Sequence, residues 1–576
     1  METQRNLLTM SLLAICAILY FKWIDFSAVE NAAQNSAEIR SEVPGVGSQE
    51  PTENRDLSVD PSSVPQANDI AAIQGNGVAQ TNELITVTTD MVIATINPYG
   101  GVIQRLELRK HLQNIDEPDI GFALLKKDQE ETFITEDGIA AVGGHGPNHL
   151  NLYQFAQTSY DLGDAESVSI PLIWVAENGV KFVKTLTFSR DSYVVDINYQ
   201  IENTSNAVWN GKLYGQFNRT KPEKTGGGFG QLPSHTGAVM YEPEEKYEKY
   251  TFGDIIDRDK DERKRNVAKD KISKNSLETD TGWVAMMQHY FVGIWLPPEG
   301  QKEFFTNAKG KVNPNYRVGF TSDYTTVQPG QSGTISVQAY LGPKETKRLN
   351  RLENEGNIEG AHLTIDYGFL TFIADPLFWA LNKIHSVVGN WGWAIILLTI
   401  LIKALFYPLS AAGYRSMGRM KKLQPRMQTL KERYKDDRPK FQAEMMALYK
   451  KEKVNPAGGC FPILIQIPVF IALYWVLLES VEIRHAPFAL WWQDLSAPDP
   501  YYVLPILMGL TQFLMMKLNP APMDDIQKKV MMIMPFALMF LFMTFPQGLV
   551  LYWVVNNILT MAQQWFNYRQ QDQIAS

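Results

Sequence analysis

The alternation of hydrophobic and polar positions changes character several times along the chain. Leu7–Phe21 is a nearly unbroken apolar stretch behind Arg5. It is shorter than the roughly 20 residues of a bilayer span, but a snorkelling Lys22 lets it extend through Trp23 to Phe26. No small-x-small cleavage site follows directly, so residues 1–26 read as an uncleaved anchor, with a cleaved signal peptide as the alternative. Residues 27–81 are rich in Ser, Asn, Gln, Glu, Pro and Ala and predict a flexible linker. From Asn82 to Pro343 the period becomes two. Leu84–Thr88, Val180–Phe188 and Tyr193–Ile201 are β-branched and aromatic runs broken by Gly, Asn and Asp, and many such strands predict a large all-β sandwich. The charge-dense Tyr241–Asn275 reads as an exposed loop within it.

Residues 344–390 form a connecting region. Its Asp366–Val388 segment is apolar and aromatic, is interrupted by Asp375-Pro376, and predicts a helix lying in a membrane interface. Five long apolar runs follow between residues 391 and 568: Trp391–Leu409, Cys460–Leu478, Tyr501–Met516, Val530–Phe545 and Leu549–Phe566. Most are short for a hydrocarbon slab about 30 Å thick. Pro408, Pro462, Pro468, Pro505, Pro535 and Pro546 lie in or beside them, which membrane helices tolerate. Short spans with prolines imply local bilayer thinning or tilt. The expected fold is thus six transmembrane helices, counting the N-terminal anchor, with a large β domain between the first and second.

The bulk numbers hide this division. A net charge of −8 and a mean hydropathy of −0.19 resemble a soluble acidic protein. Yet Ser410–Gly459 holds thirteen Lys/Arg against five Asp/Glu, a local +8. Val481–Pro500 carries −2 and Lys517–Lys529 carries +1. Positive loops stay in the cytoplasm. That rule predicts both termini inside, including a tail at 569–576, and the β domain outside. Cys16 and Cys460 each lie in an apolar run and form no disulfide framework.

Lys403 carries the most chemical information. A charge within a span costs about 2.5–3.5 kcal/mol and points to function. It lies roughly 18 Å below Trp391 along a helix, and the apolar run continues past it, which argues against a snorkelling end residue. Thr399, Lys403, Phe406 or Tyr407, and Ser410 share one helical face. In the last run Tyr552, Asn556, Thr560 and Gln563 do the same, with Asn557 and Gln564 beside them, and Gln466 adds to the set. Polar stripes can be interhelical glue, but an unpaired lysine on one of them favours a hydrated cavity. In the basic loop, Met417, Met420, Leu423 or Gln424, Met427, Leu430 and Tyr434 recur at helical spacing. Phe441, Met445, Leu448 and Tyr449 do so after Lys435–Pro439. An antiparallel helical hairpin over 411–459 results, and its charge suits anionic lipid or ribosomal RNA.

No Walker loop, HExxH, GxSxG or CxxC motif is present, so nothing supports an ATPase, metalloprotease or serine hydrolase. A small-solute transporter would show internal repeats, and none is visible. An outer-domain enzyme could use His111, His145, His149, His235 or His289, which also read as ordinary surface residues.

The stretches KVNPAGGCFPILIQIPVFIALYWVL, APFALWWQDLSAPDPYYVLPILMG, FPQGLVLYWVVNNILT and MKKLQPRMQTLKERYKDD closely resemble the YidC/Oxa insertase family. The likeness runs from about Thr364 to Tyr568, and the anchor and outer domain resemble the Gram-negative YidC form. The resemblance implies a non-enzymatic insertase and chaperone of the inner membrane, with an outer domain similar to sugar mutarotases. It implies no cofactor. The implied partners are nascent membrane proteins, the phospholipid bilayer, the ribosome and the Sec translocon (SecYEG and SecDF). It also implies a groove with a positive residue, usually arginine and here Lys403, and matches the family's groove threonine and aromatic to Thr399 and Trp553; with the polar stripes the expected groove is Thr399, Lys403, Gln466, Tyr552, Trp553, Asn556 and Thr560. Lysine keeps the charge but loses the planar fork. Arg415, Arg419, Lys421, Lys422, Arg426, Lys431 and Arg433 would face ribosome or substrate from the hairpin.

Overall fold

The computed structural model describes residues 83–222, 234–243, 246–257, 276–310, 314–356, 358–434, 437–452, 461–518 and 525–575. The expected anchor and linker, and most of the expected Tyr241–Asn275 loop, lie outside the described residues. The chain divides into two compact units. One contains Arg419–Pro456, and the other consists of Val59–Gly418 with Ala457–Ser576.

In the larger unit the period-two runs are strands. Ile85–Thr88, Lys181–Ser189 and Val194–Glu202 stand where alternation predicts them, and in each every second residue is buried: Ile85 and Val87, then Phe182, Lys184, Leu186 and Phe188, then Val195, Ile197, Tyr199 and Ile201. The strands assemble into one sheet of ten and one of eight. Neighbours are antiparallel, apart from the parallel edge pair Ile85–Thr88 with Ser159–Asp161. Large side chains fill the interior: Phe182, Tyr199, Phe217, Trp283, Trp295 and Phe304 are fully buried. Trp295 sits 5.6 Å from Phe217 and 6.1 Å from Phe320, ring to ring. One ion pair is buried here as well. Lys184 Nζ lies 2.8 Å from Asp137 and donates to the carbonyls of Gly100 and Gly101, while the Tyr199 hydroxyl donates to Asp137 at 2.7 Å. A buried charge pair is tolerable only with such extra hydrogen bonds.

Among the described residues ten α-helices follow the strands. Helix α1 (Thr346–Gly356) buries Leu349 and Leu352 against the β core. Helix α2 (Thr371–Val388) passes straight through Pro376, where the sequence suggests a break. Pro376 is the sixth helical residue, so its missing N–H costs one backbone bond near the helix start. This helix buries Ala374, Phe378 and Leu381 and exposes Phe372, Trp379 and Val387. It ends at Gly389, whose φ of 67° is a left-handed cap, and its N–H returns to the His385 carbonyl.

Helix α3 (Trp391–Leu405) starts on the Asn390 side chain, which accepts from the Trp393 N–H. It ends four residues before the expected Leu409. The chain bends by 65° into α4 (Tyr407–Lys422). Pro408 explains this: it suits the first turn of a helix, and it has no N–H to bond the Ala404 carbonyl and carry α3 onward. Helices α5 (Gln424–Arg433) and α6 (Arg438–Lys451) belong to the smaller unit. The larger unit closes with α7 (Phe461–Glu479), α8 (Val503–Leu518), α9 (Asp525–Phe542) and α10 (Gln547–Ala575). The last helix runs on through the expected tail. Among the described residues no single helix is long and apolar enough to cross a membrane. The bent pair Trp391–Leu405 with Tyr407–Met420 meets that test jointly.

Candidate polar groove in the helical bundle

Helix α3 has two unlike faces. Trp391, Ala394, Ile395, Leu398, Thr399, Ile402 and Lys403 are buried, at helical spacing, while Trp393, Leu397, Ile400, Leu401 and Leu405 are exposed. The other helices repeat the arrangement. Ile506 and Leu510 of α8, Ile533 and Phe540 of α9, and Ile558 and Trp565 of α10 face outward. Asn557, Thr560, Gln564 and Asn567 face inward. An apolar exterior around an interior that holds polar groups beside its apolar core departs from the pattern of a water-soluble bundle.

The polar groups meet inside. Lys403, 7% exposed, donates from Nζ to Thr560 Oγ1 at 2.8 Å. The Thr560 hydroxyl in turn donates to the Asn556 carbonyl at 2.6 Å. The Tyr414 side chain hydrogen-bonds to Thr560 and Gln564. From α7, the Gln466 amide donates to the Asn556 side chain and lies 3.5 Å from the Tyr552 hydroxyl. An ammonium has three N–H donors. Thr560 takes one, and no described carboxylate pairs with Lys403. Among the described residues the site therefore sets a cation among neutral hydrogen-bonding groups, with Thr560 as its hydrogen-bond acceptor. It can attract and orient an acidic or carbonyl-bearing segment, and among the described residues no group of His, Cys, Asp or Glu stands ready to hold a metal ion.

Two family models match the chain: "YidC periplasmic domain" over residues 84–380 and "60Kd inner membrane protein" over residues 383–574. A membrane protein insertase YidC from Nitrosococcus oceani is 44% identical over 517 residues, 89% of this chain and 90% of that one. The chain belongs to the YidC family. Among solved structures, an active YidC insertase with its first transmembrane domain resolved is similar at a TM-score of 0.36 and 17% identity, over 86% of this chain and 95% of that one. A galactose mutarotase-related enzyme from Lactobacillus acidophilus is similar at a TM-score of 0.27 and 11% identity, over 45% and 97%.

Within this YidC-family chain the expected groove residues separate into two groups. Lys403, Thr560, Asn556, Gln466 and Tyr552 are brought together. Thr399 shares the buried face of Lys403, but its hydroxyl donates to the Ile395 carbonyl of its own helix at 2.6 Å. Trp553 points elsewhere: its ring lies 4.5 Å from Phe470 and 5.1 Å from Phe542, and its indole N–H has no partner. Asn557 is interhelical glue, donating to Thr511 at 3.1 Å. Tyr414 is the residue that sequence reasoning missed, because it falls inside the stretch taken as a cytoplasmic loop.

The hairpin unit, Arg419–Pro456, starts eight residues later than the expected 411. Its first stripe is not one helix, because the chain breaks at Leu423 before Pro425. The stripes nonetheless meet. Leu423, Met427 and Tyr449 are buried together with Met420, Met445 and Leu448 around them, and the Tyr449 hydroxyl lies 3.5 Å from Met427 Sδ. Arg419, Lys422, Arg426, Lys431 and Arg433 are exposed, and Arg426 pairs with Glu452 at 2.7 Å. The side chains of Arg415 and Lys421 lie outside the described residues.

The five histidines do not form a centre. His149 is buried against the Tyr214 hydroxyl at 2.7 Å, and burial holds its pKa below the usual value. His111 sits 3.2 Å from Glu345, His235 faces the Ala238 carbonyl, and the His145 carbonyl accepts from Trp209. His289 binds the Leu478 carbonyl at 2.9 Å.

Proposed function

We propose that this membrane protein insertase works through the groove around Lys403. The observation that carries the reading is a buried lysine, bonded to one hydroxyl, inside a bundle whose outer surface is apolar. The hydrophilic segment of a nascent membrane protein leaves water for this cavity. Lys403 attracts its acidic residues, and short helices thin the bilayer and shorten the remaining path. The substrate's apolar segment then partitions into lipid, which supplies the driving force without nucleotide.

The same reading has six spans in a bacterial inner membrane, counting the N-terminal anchor, with both termini and the hairpin cytoplasmic and the β domain outside. Charge alternation supports that orientation. The exposed cations Arg419, Lys422, Arg426, Lys431 and Arg433 suit a ribosome or anionic lipid. The Sec translocon is a partner in this scheme. The likeness of the outer domain to sugar mutarotases is one of architecture and brings no chemistry with it.

Insertion into vesicles, scored by protease protection of the substrate's outer segment, tests the role of the charge. Lys403→Arg retains activity on an acidic-tailed substrate, Lys403→Ala loses about tenfold, and Lys403→Glu loses more because attraction becomes repulsion. Substrates with short neutral tails are affected less. Equal activity of all three variants on the acidic tail would refute the electrostatic role.

A further inference from the structure

The outer end of α7 does not stop at the bundle. Residues Leu478–Arg484 are set into the β domain and the segment that leaves its last strand. Val481, 2% exposed, belongs to the β core. The Lys344 ammonium lies 3.3 Å from Glu479 Oε2, and both side chains are excluded from solvent. The Ser234 hydroxyl donates to the same oxygen at 3.1 Å. The His289 ring contacts the Leu478 carbonyl at 2.9 Å and stands 3.7 Å from Glu479 Oε1, an oxygen with no hydrogen bond. The Thr346 N–H donates to Glu482 at 3.2 Å. Arg484 donates to the carbonyls of Leu112 and Gln113, with its guanidinium over the rings of Phe122 and Phe291.

Seven residues gripped in this way fix an orientation. Apolar contacts alone would let a helix end slide or turn. A buried charge held by one ammonium and one hydroxyl tolerates neither, because each displacement leaves a charge unpaired in a dry interior. The grip is carried down the helix. Val469, Ala472, Leu473, Val476 and Leu477 are all buried in the bundle core, so the intervening turns have little freedom. Thirteen residues below Glu479, about 20 Å along the axis, the same helix presents Gln466 to Asn556 and Tyr552. A slip of one residue would turn Gln466 by about 100° away from them.

We propose that Glu479 and Lys344 are positioning residues for the groove: through their ion pair the β domain sets the depth and rotation of α7. The inference rests on the groove reading above for its functional meaning, but its geometry can be tested separately. A full-length chain with Cys16→Ser and Cys460→Ser takes Gln466→Cys and Asn556→Cys as a disulfide reporter, and insertion is assayed in parallel chains without the reporter pair. Lys344→Met lowers reporter oxidation about fivefold and lowers insertion of an acidic-tailed substrate to a similar degree. The charge-exchanged pair Lys344→Glu with Glu479→Lys restores both. Should Lys344→Met fail to accumulate, Glu479→Gln keeps the shape and the Ser234 bond while removing the charge, and the same loss is expected. Unchanged oxidation in these single variants, or loss that charge exchange does not repair, overturns the proposal. Reduced oxidation with normal insertion leaves the positioning of α7 standing and sinks the groove reading instead.

Discussion

The β domain and the helical bundle are built from the same apolar residues by opposite rules. In the strand Lys181–Ser189 alternate side chains point into a core where Phe182 and Leu186 are fully buried. In α3 the buried face carries Thr399 and Lys403, while Ile400, Leu401 and Leu405 are exposed. The difference teaches that burial is set by the surrounding solvent. Water drives apolar groups inward in the first region. In lipid that drive vanishes, apolar groups are free to face out, and polar groups must find one another.

The sharpest break of this comparison is a hole in the water-driven core. Trp295→Ala removes a fully buried ring and should destabilise the β domain by about 3–5 kcal/mol, read as a fall in its thermal midpoint while groove-dependent insertion at low temperature persists. Next in size is a matched pair of surface charges. Ile400→Lys, on the exposed face of α3, should cost about 2.5–3.5 kcal/mol of membrane integration and make the protein carbonate-extractable. Val175→Lys, equally exposed on the β domain, should do nothing measurable. Two harmless substitutions would mean that both regions face water.

A smaller effect lies where the regions join. Burial holds the Glu482 carboxyl up at about 7, and its Oε2 has no hydrogen bond. The folded state therefore binds a proton that the unfolded chain has already released. The stabilising contribution is complete below the unfolded carboxylate range and is lost as pH rises through about 7. Glu482→Gln should remove that slope and raise stability at pH 8 by on the order of 1–3 kcal/mol, with little change at pH 5. The smallest effect is expected from deletion of Asn82–Pro343. This keeps Lys344, Thr346, the bundle and the hairpin, and insertion of substrates with short neutral tails, which use the groove least, should stay within about twofold, whereas acidic-tailed substrates should lose about as much as with Lys344→Met. Abolished insertion from a variant still present in the membrane would show that the division of labour is wrong.

Much of this was legible in the sequence because the relevant signals are local. Period two marked Lys181–Ser189 and Val194–Glu202, and a lysine inside an apolar run marked Lys403. What was hidden depends on contacts between distant segments or on backbone chemistry at one residue. The 65° bend after Leu405 follows from Pro408, which looked like ordinary punctuation. Tyr414 reaches Thr560 only because that bend places α4 against α10, so its position among basic residues misled. Thr399 and Trp553 lie on plausible faces, yet a helix wheel cannot show that one hydroxyl turns back on its own backbone or that one indole packs between Phe470 and Phe542. Val481 sits in a segment that read as a short outer loop, and nothing in its neighbours announces a β core.

The pairing of the sheets has a consequence for biogenesis. Strand Val194–Glu202 pairs early with Lys181–Ser189 on one side, but its other edge is covered only by Ser332–Pro343, and the second edge of Trp209–Thr220 is closed by Asn315–Val327. At a synthesis rate of about 5–20 residues per second, the first of these strands waits on the order of 10 s for its partner, and for that interval its backbone edge is open to any passing chain. Such late-closing topology folds slowly. A route that shields this edge while the chain is incomplete would keep it from pairing with other chains.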